Sequence, residues 1–89
     1  MISKTTVSFR NAIAKLPKDI RRRAKDAYKL FDDDPNHPSL RFKKVHARES
    51  VYSARISLDY RALGVLDGDV IVWFWVGSHA EYEKLLQQL

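Results

Sequence analysis

The chain has no cysteine. That excludes disulfide staples and thiolate metal sites, and it predicts a protein of the reducing cytoplasm. Glycine is scarce: the three present, Gly64, Gly68 and Gly77, stand singly, so there is no glycine-rich loop to cradle a nucleotide phosphate. The longest apolar run, Val70 to Val76, spans seven residues, far short of the roughly 20 that a membrane helix needs. The opening stretch "MISKTTVSFR" lacks the apolar core of a signal peptide. No internal repeat, low-complexity tract or linker interrupts the chain. Chemistry-bearing motifs are as sparse. His37, His46 and His79 share no metal-ligand spacing, no serine-nucleophile motif occurs, and no two carboxylates are spaced for acid–base work. What remains is chemistry by His, Arg, Lys and Tyr, with no metal or cofactor expected.

What is present is a strong basic bias, unevenly spread. The 89 residues carry a net charge of +5. Residues 1–30 hold nine Lys/Arg against two Asp/Glu, residues 31–60 five against five, and residues 61–89 two against four. The excess therefore lies in the N-terminal third, where it attracts phosphate backbones or an acidic protein partner. A chain of this length buries only about 60% of its unfolded surface, which predicts one domain, residues 1–89, with a thin core.

Hydrophobic periodicity divides the chain in two. Residues 3–7 suit a short strand. Phe9, Ile13 and Leu16 then fall on one face of a first helix, and Ile20, Ala24, Ala27, Leu30 and Phe31 on one stripe of a second, which Pro17 opens. Arg21, Arg22, Arg23, Lys25 and Lys29 face mostly away from that stripe. "DDDPNHPSL" ends the second helix, and three aspartates opposing the macrodipole predict fraying there. Beyond Pro38 the period falls to two. "LRFKKV" sets Leu40 and Phe42 against Arg41 and Lys43, and "VYSARIS" sets Tyr52, Ala54 and Ile56 against Val51, Ser53 and Arg55. "DYRALGVL" and "VIVWFWV" follow, joined by the hairpin signal "DGD". Alternation along the last strand projects Ile71, Trp73 and Trp75 to one face together. The pattern predicts an α+β fold: two N-terminal helices packed on a small antiparallel sheet, with a short C-terminal helix.

The stretch "VWFWVGSHAEYEKLL" concentrates the candidate chemistry. Ser78 and Glu81 have capping-box spacing, which puts His79 at the first helical position and Tyr82 one turn later on the same side. Arg55 and Arg61 fall on neighbouring strands. RNA cleaves itself when its 2′-hydroxyl attacks the adjacent phosphate, and a catalyst need only move two protons and stabilise the phosphorane. Histidine titrates in the useful range, fixed guanidinium forks match the developing anion, and a tyrosine can stack an unpaired base. His79, Arg61, Arg55 and Tyr82 are thus the candidate catalytic set, and Lys43, Lys44, Arg41 and Arg22 the candidate RNA-binding residues.

With "HPSLRFKKV" and "VYSARISLDYRALGVLDGDVIVWFWVGSHAEY" assembled, the chain resembles the RelE/ParE superfamily of toxins from type II toxin–antitoxin pairs. The resemblance runs over about residues 37–86, and the order and spacing of its motifs carry it, more than any one motif. It implies a cytoplasmic toxin with a cognate antitoxin protein as partner. RelE-like members are ribosome-dependent endoribonucleases that cut mRNA, which makes ribosome and mRNA the expected targets. ParE-like members instead poison DNA gyrase, and a non-catalytic binding module is a third possibility. By position, Arg61 matches the RelE-type strand arginine and Arg55 one of two strand lysines, while Ser53 stands where the other would be. His79 takes the place of a RelE-type arginine, and Tyr82 that of the terminal tyrosine that stacks on a base.

Overall fold

Two tight hairpins organise the sheet. In the computed structural model, which describes residues 1–88, β3 (Val51–Ser57) turns through Leu58 and Asp59 into β4 (Tyr60–Asp67), which turns through Gly68 and Asp69 into β5 (Val70–Ser78). Gly68 has φ +61°, the positive value that the first loop position of a two-residue II′ hairpin requires. The other elements are β1 (Ile2–Thr5), α1 (Val7–Ala14), α2 (Lys18–Asp33), β2 (Lys43–Lys44) and α3 (His79–Gln88). The strand order is β1-β5-β4-β3-β2. Neighbours are antiparallel except β1, which pairs parallel to β5 from Ile2↔Val70 to Thr5↔Trp73. The parallel pair follows from connectivity, because two helices separate β1 from the strands and parallel neighbours need such a crossover.

The helices cover both faces of the sheet. Thr6 caps α1, its hydroxyl accepting the Phe9 amide at 3.1 Å. The expected stripes of α1 and α2 meet the sheet, and Phe31 ends 2% exposed. Its ring lies edge-on to Trp73 at 5.3 Å and to Phe42 at 4.9 Å, and Phe42 stacks on Tyr52. Such pairs each add about 0.5–1.5 kcal/mol beyond area burial. The helix α2 runs through two of the three aspartates predicted to fray it, to Asp33; the Asp34 amide donates to the Leu30 carbonyl at 2.7 Å, and the Asp34 carboxylate accepts the Asn36 amide at 3.1 Å. On the other face, α3 buries Tyr82 over Val51 and Leu63, with Leu85 and Leu86 beside it.

Two expectations need correcting. The strand predicted over residues 40–45 shrinks to Lys43–Lys44, because Pro38–Leu40 wind into one 3₁₀ turn. Leu40 and Phe42 still reach the helix-side core. Trp73 and Trp75 do not share a face. Gly64 pairs with Trp73 but Leu63 with Trp75, so Phe74 is an extra residue in β5, a bulge that reverses the alternation. Ile71 and Trp73 enter the core under α1 and α2, and Trp75 joins Leu63 and Tyr82 under α3.

Candidate active site

Cross-strand register places the arginines. Arg55 is directly opposite Arg61, and Arg61 is opposite Gly77. One pair further in, Ser53 faces Leu63 beneath Tyr82, so alternation puts both arginines on the α3 face of the sheet. Like charges directly opposite destabilise a sheet. Neither makes a salt bridge to a carboxylate: among the described residues the one such contact is between the His79 ring and Glu83.

Arg61 is held firmly. Its Nη1 donates to the carbonyls of Ser57 at 2.6 Å, Tyr60 at 3.0 Å and Leu58 at 3.3 Å, closing the β3–β4 turn. Nε and Nη2 are left without a protein partner among the described residues. Burial, then the charge of Arg55, push the Arg61 ionisation down, Arg41 adding to the effect and Tyr82 and Asp59 opposing it. A guanidinium nevertheless stays charged. The arrangement is a pre-oriented cation facing solvent with more positive charge around it, which suits an anion.

His79 begins α3. Its amide donates to the Asp59 carbonyl at 2.6 Å, tying the helix start to the same turn that Arg61 closes. The capping box is formed as the spacing predicts: Glu81 accepts the Ser78 amide at 3.1 Å, and the Ser78 hydroxyl accepts the Glu81 amide at 3.2 Å. Hydrogen bonding to the carboxyl by the Ser78 amide first, and by the Ser78 side chain, holds Glu81 below its ordinary range. The His79 side chain is 45% exposed, with Nε2 at 3.5 Å from Glu83, and its ring lies 5.8 Å from that of Tyr82.

Tyr82 departs from expectation. It is 5% exposed and its hydroxyl donates to Ser53 Oγ at 3.2 Å. A ring packed between α3 and the sheet offers no free face for a base, so the predicted stacking role does not fit. Lys43, opposite Ser53, shares the site's face, while Lys44, opposite Tyr52, projects to the other. Arg22 lies with Lys18, Asp19 and Arg23 on α2, across the sheet from Arg55 and Arg61. The sequence therefore brings together Arg55, Arg61, His79 and Lys43, and leaves out Lys44 and Arg22. It missed Ser53 as the anchor of Tyr82 and Glu83 as the partner of His79, although the i, i+4 spacing of His79 and Glu83 was legible. Among the described residues no three His, Asp or Glu side chains gather to hold a metal ion.

A second feature lies under the helices. A groove of about 570 Å³ has a floor of Phe9, Ile13, Phe31 and Trp73 and a rim of Arg10, Arg21, Lys25 and Lys29.

The ParE-like toxin domain model matches residues 18–84 of this chain. The chain belongs to that family. Its fold is also that of solved toxins. A chain of the RelB–RelE antitoxin–toxin complex of Methanococcus jannaschii aligns with a TM-score of 0.74 and 19% identity, covering 92% of this chain and 96% of that one. The archaeal RelE–RelB complex of Pyrococcus horikoshii gives 0.70 at 21% identity, over 86% and 92% of the two chains. The YoeB/ParE toxin of Agrobacterium tumefaciens gives 0.69 at 13% identity, over 89% and 99%. No curated protein matches in sequence. At these identities the structural likeness is one of fold, and this ParE-like domain has the fold expected of it, with β1 added in parallel.

Proposed function

We propose that this ParE-like toxin domain is a ribosome-dependent endoribonuclease that halts translation by cutting mRNA. The observation that carries the reading is the unpaired Arg55–Arg61 couple beside a half-exposed histidine. In the proposed step, neutral His79 takes the proton of the RNA 2′-hydroxyl as its oxygen attacks phosphorus. The P–O5′ bond breaks, leaving a 2′,3′-cyclic phosphate, and the 5′-oxygen takes up a proton from water, to which protonated His79 returns its own. Arg61 and Arg55 stabilise the charge that gathers on the phosphorane oxygens. Tyr82 acts as a positioning residue, fixing the first turn of α3, and thereby His79, through Ser53. Lys43 binds RNA phosphate without reading sequence. The apolar groove with its basic rim suits an acidic, amphipathic segment of a cognate antitoxin.

The test is a cell-free translation reaction with a defined mRNA, its breaks mapped by primer extension, with and without ribosomes and beside His79→Ala. Breaks that require ribosomes and disappear in the variant support the reading; breaks that persist in the variant remove His79 from the chemistry. The ParE-like family match supports a second reading, inhibition of DNA gyrase by protein contact, which needs no base-stacking tyrosine and in which toxicity survives His79→Ala and no mRNA is cut.

A further inference from the structure

Arg41 is the one residue other than glycine with positive φ, 46°, among the described residues. Left-handed backbone is strained for a side chain bearing Cβ, and such strain persists only where its surroundings enforce it. Here the preceding turn does so. The His37 imidazole Nδ1 accepts the Ser39 amide at 3.2 Å, Leu40 is 2% exposed in the core, and the Arg41 amide closes the turn on the Pro38 carbonyl at 3.3 Å. Glycine would take this conformation freely. The chain places an arginine there instead.

The flanking elements show where that arginine stands. Arg41 joins the 3₁₀ turn Pro38–Leu40 to β2, and both of these lie against β3, the strand that carries Arg55. Arg55 is opposite Arg61, and the row ends at Gly77. The charge of Arg41 is felt at Arg61 as well. An arginine in the loop thus lies beside the strand that bears one member of the Arg55–Arg61 couple. None of the three arginines makes a salt bridge to a carboxylate among the described residues. Backbone strain and mutual repulsion are both present, and a bound polyanion would offset both.

We propose that Arg41 is a third phosphate-binding residue of this site, gripping the backbone of a single-stranded RNA beside the phosphate held by Arg55 and Arg61. It supplies from a loop the cation that is missing at Ser53. The inference rests on the reading of this face as an RNA site.

The test is binding of a fluorescent, uncleavable 2′-deoxy oligonucleotide, measured by anisotropy over a range of salt, with a thermal melt of each variant. Arg41→Gly is expected to weaken binding about 10-fold at low salt and to reduce the slope of log affinity against log salt by about 0.7, the loss of one phosphate contact. Its Tm should equal or exceed that of the unmodified protein, because glycine relieves the backbone, and Arg41→Lys should recover part of the affinity. Unchanged binding by Arg41→Gly alongside weakened binding by Arg55→Ala would overturn the inference and leave the RNA site standing. Unchanged binding by both variants would remove the RNA site and the inference with it. A fall in affinity accompanied by a lower Tm would make Arg41 a structural residue and likewise overturn the proposal.

Discussion

Tyr82 and Ser53, 29 residues apart, share a buried hydrogen bond of 3.2 Å that pins α3 to β3. Ser53 is 2% exposed, so removing its partner strands a buried hydroxyl. Tyr82→Phe should destabilise the protein by about 1 kcal/mol, and Ser53→Ala in that background should recover part of the loss. Denaturant titration of the two single variants and the double variant measures this. Ser53→Lys, which would restore the cation the resemblance leads one to expect, should cost on the order of 3 kcal/mol by burying an ammonium.

Stability and activity should part company at Arg55. It repels Arg61 across the strand pair, a like-charge contact worth about 0.2–1 kcal/mol. Arg55→Ala should therefore raise the Tm slightly while lowering cleavage at the proposed RNA site roughly 100-fold, the order of loss expected on deleting one donor to a developing anion. A variant that lost both stability and cleavage would show Arg55 to be a packing residue.

The helix start should respond to acid in a defined direction. The Glu81 carboxyl is held below its ordinary value of 4.5 by the Ser78 amide and hydroxyl, so the fold favours the ionised form. Its contribution is complete above that ordinary value and is lost as the pH falls through the lower, folded-state value. The protection factor of the Ser78 amide, its exchange rate corrected for the intrinsic dependence on pH, should fall on acidification through that window. Glu81→Gln should flatten the profile while keeping the reach back to Ser78.

Gly77 leaves room for the Trp75 ring. A methyl group there would lie 2.6 Å from the indole, closer than any side chain tolerates. Gly77→Ala should displace the ring, shift tryptophan emission and cost roughly 1–3 kcal/mol. Because Gly77 stands opposite Arg61, cleavage should fall as well.

Much of this was legible beforehand because it is local. β3 runs from Val51 to Ser57 as its alternation predicts, and the Ser78–Glu81 box forms at the expected place. The failures were tertiary. Nothing in a period of two announces the extra residue at Phe74, which depends on Gly64 letting Trp73 and Ile71 approach the β4 backbone closely. Sequence placed Tyr82 on the correct side of α3 but could not tell a ring packed over Ser53 from one open to solvent. Arg41 was legible as basic, whereas its unusual backbone angle comes from the turn anchored by Leu40.

The parallel pairing of β1 has a consequence for the order of events at synthesis. Ile2 must wait for Val70 before its strand has a partner, whereas the two hairpins close between near neighbours in the chain. Long-range pairings close late because the intervening chain must first be brought together. As the polypeptide emerges, α1 and α2 carry apolar stripes with no sheet to cover, and Arg55 and Arg61 appear well before His79. The proposed RNA site is thus assembled only once β5 and the start of α3 have followed the two arginines out.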